Sequence, residues 1–367
     1  MKILEIITFL GSGGAERFIV DLSNELSKSN DVYLMTLLDD TKDTKVRNFY
    51  KSDITSNVKY LNVGLPNGLS VHSQLLVLKA INRVNPDVIH FHMIPTVKYS
   101  ALACMLLSGK YKMYLTIHSD LHNGYNKGFA KVLFKTLASS DRLKLVCLSE
   151  TNFKDFTSYY PKAEIKCITN GRAPITPTEH FEAVKTEIKS FRSTADSFLF
   201  MHIARFNRQK NQNLLINAFN ELCQERKVDL LIIGDGFDSN EGAQLRSKAN
   251  KNHIHFLGTR KNISDYILNT DIFCLSSDYE GMPITLLEAS LAGVPAVCTP
   301  VCGAVDIIRD RKNGIISKSH NLEDYKEALK EAMDNYDTIK ASAMKMKENN
   351  PYTIGECARK YMDFFNE

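Results

Sequence analysis

The feature that most constrains this chain is a rhythm that runs twice. Short apolar stretches of strand length alternate with longer segments whose apolar residues recur at helical spacing. In the first half KILEIITFL, DVYLMTLL, VKYLNV, DVIHFH, KMYLTIH, KLVCLS and EIKCITN read as strands. Between them Ala15 to Lys28, Ser70 to Val84 and segments from about Pro95 and Lys127 read as helices, with a short one after KLVCLS. Residues 171–197, beginning GRAPITPTEH, break the rhythm as a linker and lead-in helix. The alternation then restarts with SFLFMHIA, VDLLIIG, IHFLG, DIFCLSS, PAVCTP and GIIS. The helices here are predicted from Asn213, through Gln244 to Ala249, at Ser264 to Leu268 and from Pro283. Apolar strands separated by helix-length segments imply βαβ units and parallel sheets buried on both faces. A chain of 367 residues is also too long for one ordinary core. The expected fold is therefore α/β, with two Rossmann-like doubly wound parallel-sheet domains.

From Asn321 onward the chain reads as helical, with a break near Asn349, Asn350 and Pro351. Hydrophobic residues make up 44% and charged residues 24%, the balance of a globular protein. Net charge is +4, from 46 basic and 42 acidic residues, which gives no reason to expect a nucleic-acid partner. No apolar run reaches bilayer length, and MKILEIITFL reads as a first buried strand rather than a secretion signal. The eight cysteines are scattered without CxxC spacing, several inside apolar strand runs, which suits a reducing cytoplasm.

Open α/β sheets bind ligands at the carboxyl ends of their strands, so those ends hold the candidate chemistry. After DIFCLSS comes Glu280-Gly281-Met282-Pro283-Ile284, followed by Glu288 inside the predicted helix. Pro283 suits a helix first turn, and the free amides of that turn favour phosphate. Glu280 and Glu288 can then serve a sugar and a ribose hydroxyl pair; the plainer reading is a cap and a solvated helix glutamate. After SFLFMHIA come Arg205 and Lys210, with Arg208 between them expected to face solvent. An arginine fork and a lysine point charge suit a diphosphate whose negative charge grows as it leaves. The sequence contains no D-x-D, the usual means of holding a divalent ion against a diphosphate. Neutralisation without a metal, and no cofactor, are expected.

After the first strand lies Gly11-Ser12-Gly13-Gly14-Ala15-Glu16-Arg17. Glycines there let a backbone approach phosphate or sugar at a helix start. The same run resembles a dinucleotide fingerprint with Glu16 in the third glycine position. With Asp39 and Asp40 ending the second strand, it keeps an NAD enzyme open. His90 and His92 form one H-x-H and His253 and His255 another. No third ligand is visible by spacing, so satisfied strand-end histidines are expected.

Four of these segments, in this order along the chain, resemble the GT4-like glycosyltransferases (family 4, group 1) of the GT-B superfamily. They are the glycine run, His118 in LTIHSD, the Arg205–Lys210 loop, and the E-x7-E segment from Glu280 to Glu288. The resemblance implies two domains facing across a cleft. An acceptor domain, 1–171, carries the last helix, 352–367, packed back on it, and 172–351 binds the donor. It implies a retaining, metal-independent transferase moving a sugar from a nucleotide-sugar, UDP first and GDP second. The acceptor would be a glycan or lipid-linked saccharide in bacterial surface polysaccharide assembly. On that reading His118 positions the donor sugar, and Gly13 and Gly14 line the donor–acceptor junction. Gly234 and Gly258 join the donor site, where Gly281, Met282, Pro283, Ile284 and Glu288 also fall. Asn170-Gly171 resembles the step that ends the first domain, while Cys302-Gly303 departs from a commoner Gly-Gly. A nucleotide-sugar epimerase or hydrolase of the same architecture, and a nonenzymatic binding subunit, stay open.

Lys127, Lys131 and Lys135 fall four apart beside Phe129, Leu133, Phe134 and Leu137. Such a stripe is either an ordinary solvated face or a dock for anionic lipid. The resemblance favours the second, at the inner face of the cell membrane, because many relatives extend lipid-linked glycans there.

Overall fold

The computed structural model describes residues 1–119, 128–140 and 142–367. They form two compact units, Met1–Ala173 with Tyr352–Glu367, and Pro174–Pro351.

The first unit is built on seven parallel strands. In chain order they are β1 Lys2–Ile7, β2 Asp31–Leu38, β3 Lys59–Leu65, β4 Val88–His92, β5 Lys112–Thr116, β6 Lys144–Cys147 and β7 Ile165–Cys167. Their order across the sheet is β3-β2-β1-β4-β5-β6-β7. The chain thus leaves β1 in one direction and returns to its other side at β4, the topology that places ligands at a switch point. Register sets Glu5 beside His90, and His92 beside Thr116. Because side chains alternate between faces, Leu4, Ile6, Ile89, Phe91, Met113 and Leu115 enter one apolar core. Glu5, His90, His92, Tyr114 and Thr116 face the other way, where the helices Gly14–Leu26 and Ile354–Asn366 meet.

That last helix is held by side chains with little alternative. Tyr361, Phe364 and Phe365 are fully buried, each removing about 1.5–3 kcal/mol worth of apolar surface from water. At its start Gly171 allows close approach, since a Cβ there would sit 2.5 Å from the Thr353 carbonyl oxygen.

The second unit repeats the plan with β8 Phe198–Ile203, β9 Val228–Ile233, β10 Ile254–Gly258, β11 Ile272–Leu275, β12 Ala296–Cys298 and β13 Gly314–Ile316. Their order is β10-β9-β8-β11-β12-β13, again all parallel. The switch point here lies between β8 and β11. The two sheets and their helices realise the α/β, doubly wound parallel-sheet design expected from the rhythm.

The helix boundaries differ from those expected in several places, among them the helix through Gln244, which runs Asn240–Ser247. The segment from Pro95 divides at Ser100 into Ile94–Tyr99 and Ala101–Leu107. The tail divides at Asn335 into Leu322–Asp334 and Tyr336–Glu348 before the break at Pro351. Pro283 stands one residue before its helix, Ile284–Ala292, rather than within the first turn.

Candidate active site

In the second unit the loops after β8 and β11 are tied together. The Ser276 hydroxyl donates to the Lys210 carbonyl (2.9 Å), the Asp278 amide to the Gln209 carbonyl (2.8 Å), and the Asn211 amide group to Asp278 (2.7 Å). This stitching brings Lys210 Nζ within 2.5 Å of Glu280 Oε1, and the Ser277 hydroxyl donates to the same oxygen at 2.6 Å. Glu280 and Glu288 are both buried, whereas Arg205 is exposed at the end of β8. Arg208 stands out in solvent, its side chain 86% exposed and paired with Glu241.

The helix after Glu280 begins at Ile284, and its first i→i−4 bond runs from the Leu287 amide to the Pro283 carbonyl. The amides of Ile284, Thr285 and Leu286 are therefore without intrahelical partners, the condition for anion binding. Gly281, Met282, Pro283 and Ile284 are buried around that start.

Glycines set the close backbone contacts around these loops. Gly234 (φ +154) lies so close to β8 that a Cβ would sit 2.0 Å from the Ala204 carbonyl oxygen and 2.9 Å from the Arg205 amide. Gly303 (φ +71) packs on the Gly281 carbonyl at 2.4 Å from its would-be Cβ. The turn thus forms with Cys302 in place of a first glycine, because the close approach falls on Gly303. Gly258 ends β10 at φ +66, and its carbonyl accepts from the Gly234 amide at 3.0 Å.

In the first unit Gly13 caps the helix Gly14–Leu26, and a Cβ on it would sit 2.3 Å from Glu16 Oε2. Glu16 is itself buried in the first turn of that helix. Asp40, a candidate ribose acid, is engaged by Lys51 (2.7 Å) and the Tyr60 hydroxyl (2.8 Å), and Asp39 by the Thr41 hydroxyl (2.6 Å). A ribose would have to displace those partners.

His118 follows β5 and is part-buried, with the Phe18 ring edge-on at 5.6 Å. Behind it lies a cluster that spacing alone did not disclose. Glu5 supplies the third group to His90 and His92: His92 Nε2 is 2.7 Å from Glu5 Oε2, and His90 Nδ1 is 2.9 Å away but off the hydrogen-bond axis. All three are fully buried, and among the described residues they are the His/Cys/Asp/Glu group whose ligand atoms converge. The separations are those of hydrogen bonds, shorter than ligands usually stand apart around a 2.0–2.2 Å metal shell. His92 Nδ1 lies 3.1 Å from His118 Nε2, and His90 Nε2 lies 2.7 Å from the Thr116 hydroxyl. Burial alone would raise the Glu5 carboxyl, but the two histidines outweigh it and hold it down at about 2. Burial pushes His92 down to about 4 and His118 well below the usual range. Of the second H-x-H, His253 meets the Val228 carbonyl and Asp229 at 3.1 and 3.2 Å.

Comparison with known proteins places this geometry. Residues 12–173 match the family model described as Glycosyltransferase Family 4, and residues 184–351 match that of Glycosyl transferases group 1. Among curated relatives, the N-acetyl-alpha-D-glucosaminyl L-malate synthase of Bacillus anthracis is 25% identical across 73% of this chain and 70% of its own. A UDP-Gal:alpha-D-GlcNAc-diphosphoundecaprenol alpha-1,3-galactosyltransferase of Escherichia coli is 23% identical across 81% and 77%. Among solved structures, Anabaena Alr3699/HepE in complex with UDP and glucose superposes with a TM-score of 0.80, at 18% identity over 100% of this chain and 99% of that one. A TarM mutant from S. aureus, in complex with fondaparinux, alpha-GlcNAc-glycerol and UDP, gives 0.81, at 13% identity over the full length of both. The architecture of the two units is thus that of known sugar-transferring proteins.

Proposed function

The chain belongs to the GT4-like glycosyltransferases, and from that premise we propose a retaining, metal-independent enzyme that takes its sugar from a UDP-sugar. Its acceptor on this reading is a hydroxyl of a glycan or lipid-linked saccharide in bacterial surface polysaccharide assembly. The observation that carries the reading is the meeting of Lys210, Glu280 and the open helix start at Ile284. A departing diphosphate needs fixed positive charge and aligned amides, and interactions that strengthen as charge develops lower the barrier. Arg205 and Lys210 supply the charge, Ile284 to Leu286 the amides, and Glu280 and Glu288 hold the sugar and ribose hydroxyls. Gly234, Gly258, Gly281, Met282 and Pro283 shape the donor site. Gly13, Gly14 and His118 serve the sugar and acceptor.

In the proposed step the bond from the sugar's anomeric carbon to the phosphate oxygen breaks, its electron pair staying on the phosphate. The acceptor oxygen bonds to that carbon on the same face, and its proton passes to the leaving phosphate. Relatives support the substrate classes: one is named for UDP-galactose and a diphosphoundecaprenol acceptor, and a structural neighbour holds UDP and glucose.

The test is a panel of UDP- and GDP-sugars with lipid-linked and free saccharide acceptors, scored by released nucleotide and by product anomeric configuration. The expected result is acceptor-dependent UDP release, a product with the donor's anomeric configuration, and turnover unchanged by EDTA. An inverted product, dependence on added metal, or isomerised or hydrolysed donor without acceptor would each refute the corresponding element.

We also infer peripheral contact with an anionic membrane. No described helix is long and apolar enough to cross one. Yet Val71 and Leu75 on the helix Val71–Val84, Met105 and Leu106 on Ala101–Leu107, and Val132 on Gly128–Ser139 are exposed apolar residues on successively contacting helices. Lys135 is exposed on the last of these. Lys127 and the side chain of Lys131 lie outside the described residues. Apolar side chains beside basic ones suit an anionic lipid surface.

A further inference from the structure

The buried cluster behind His118 has a direction. A carboxylate can only accept hydrogen bonds, so every proton around Glu5 must point towards it. His92 therefore carries its hydrogen on Nε2, the atom 2.7 Å from Glu5 Oε2. A neutral His92 is then left with a lone pair on Nδ1, and that lone pair faces His118 Nε2 at 3.1 Å. The contact forms only if His118 carries its own hydrogen on Nε2, which leaves a lone pair on Nδ1. Tautomers of linked imidazoles are set in this way by the partner at the far end.

A second arm lies beside the first. His90 Nδ1 is 2.9 Å from Glu5 but off the hydrogen-bond axis, while its Nε2 lies 2.7 Å from the Thr116 hydroxyl, which in turn lies 2.8 Å from the Tyr361 hydroxyl. Both arms end beside one carboxylate oxygen, and Phe18 and Tyr361 pack against the histidine rings. Glu5, His90 and His92 are fully buried, so their polar partners are other protein groups.

We propose that Glu5, acting through His92, is a positioning residue that fixes His118 as the Nε2–H tautomer, so that the nitrogen it offers to the sugar accepts a hydroxyl hydrogen bond. His118 then selects a donor hydroxyl able to give a proton, and it does not itself donate to the leaving phosphate. This rests on the proposed role of His118 in donor binding, but the tautomer can be read without turnover.

The experiment is long-range proton–nitrogen correlation of the histidine rings in the full-length chain at neutral pH, with His118 assigned by its substitution. The expected wild-type result is His118 protonated on Nε2 alone. His92→Phe cuts the link and Glu5→Leu removes its terminal acceptor; each leaves His118 as a mixture of tautomers, and a fold-preserving result in either one suffices. Tyr361→Phe, which cuts only the second arm, leaves His118 unchanged. His118 protonated on Nδ1, or on both nitrogens, in the wild type would overturn the proposal, as would an unaltered tautomer in both link variants. Stoichiometric zinc held by the purified chain and lost in Glu5→Leu would overturn it too, by replacing hydrogen bonds with ligation. In transfer assays, replacing one donor hydroxyl by fluorine is expected to lower kcat/KM as much as replacing it by hydrogen. That loss is about two- to tenfold for one hydrogen bond, and it shrinks in His92→Phe. A fluoro sugar that keeps full rate at every position would show that His118 accepts no hydroxyl. Absence of any transfer alongside the expected wild-type tautomer would count against the enzymatic reading alone.

Discussion

Lys210 Nζ lies 2.5 Å from Glu280 Oε1, joining residues seventy positions apart at the ends of two neighbouring strands. The pair is largely buried, with 22% and 7% of the side chains exposed. A diphosphate entering here meets a lysine already neutralised by its neighbour, so donor binding must share that lysine with Glu280. Arg205 is exposed and carries no such internal pair among the described residues. The two cations thus differ in what else their removal disturbs.

Arg205→Ala is expected to lower kcat by about 10²–10³, the usual cost of one fixed group that stabilises developing charge, with thermal stability unchanged. Lys210→Ala should match that loss and also lower stability, because it strands a buried carboxylate. Nucleotide release and thermal unfolding, measured together, separate the two. Near-wild-type turnover in both variants would contradict the assignment.

Gly234→Ala should destabilise the second unit, since its Cβ would collide with the Ala204 carbonyl at 2.0 Å and φ +154 disfavours any side chain. A loss of about 2 kcal/mol corresponds to a Tm roughly 4–8 °C lower for a unit of this size. Gly68→Ala is the comparison: its would-be Cβ meets nothing within 4 Å, although φ is +97. It isolates the backbone cost, and equal shifts at both positions would show that the collision contributes nothing.

Acidification from pH 6.5 downward should weaken both units. Burial holds His92 and His202 at about 4, below their ordinary value of 6.5. Between pH 6.5 and 4 the unfolded chain binds protons that the folded chain refuses, so stability falls as pH falls. Each histidine contributes about 1.4 kcal/mol per pH unit in that window. Glu5, held at about 2, adds its own loss as pH drops from about 4.5 towards 2. Chemical unfolding at pH 7, 6 and 5 should show this slope, and a flat profile would argue that these histidines are not buried neutral.

Membrane contact predicts that the chain floats with vesicles containing anionic lipid and stays at the bottom with neutral ones. Replacing Val71, Leu75, Met105 and Leu106 by serine should abolish flotation, with turnover on a soluble acceptor preserved. Absence of flotation with both vesicle types would remove the membrane from the account.

The strand–helix rhythm, the linker near residue 171, the loops carrying Arg205, Lys210 and Glu280 and the helix carrying Glu288 were legible in sequence because they are local. Periodicity reports which face of a segment is buried, and glycines and prolines report where it turns. The separate helices either side of Asn335 were not legible, since the apolar spacing continues across that residue and only packing fixes where the helix stops. Gly303 could be named, but its reason, the Gly281 carbonyl against it, lies in the folded turn.

Sequence by itself determined that the chain forms two α/β units with phosphate-suited loops at strand ends. Tertiary structure alone decided which of those ends are neighbours. Strand order depends on crossovers that bring β4 to the far side of β1 and β11 to the far side of β8, and no local pattern encodes that choice. Glu5 lay in plain view inside an apolar strand, eighty-seven residues before His92. Only their adjacency in the sheet turns an isolated buried carboxylate, costly when alone, into the fixed end of a hydrogen-bonded chain.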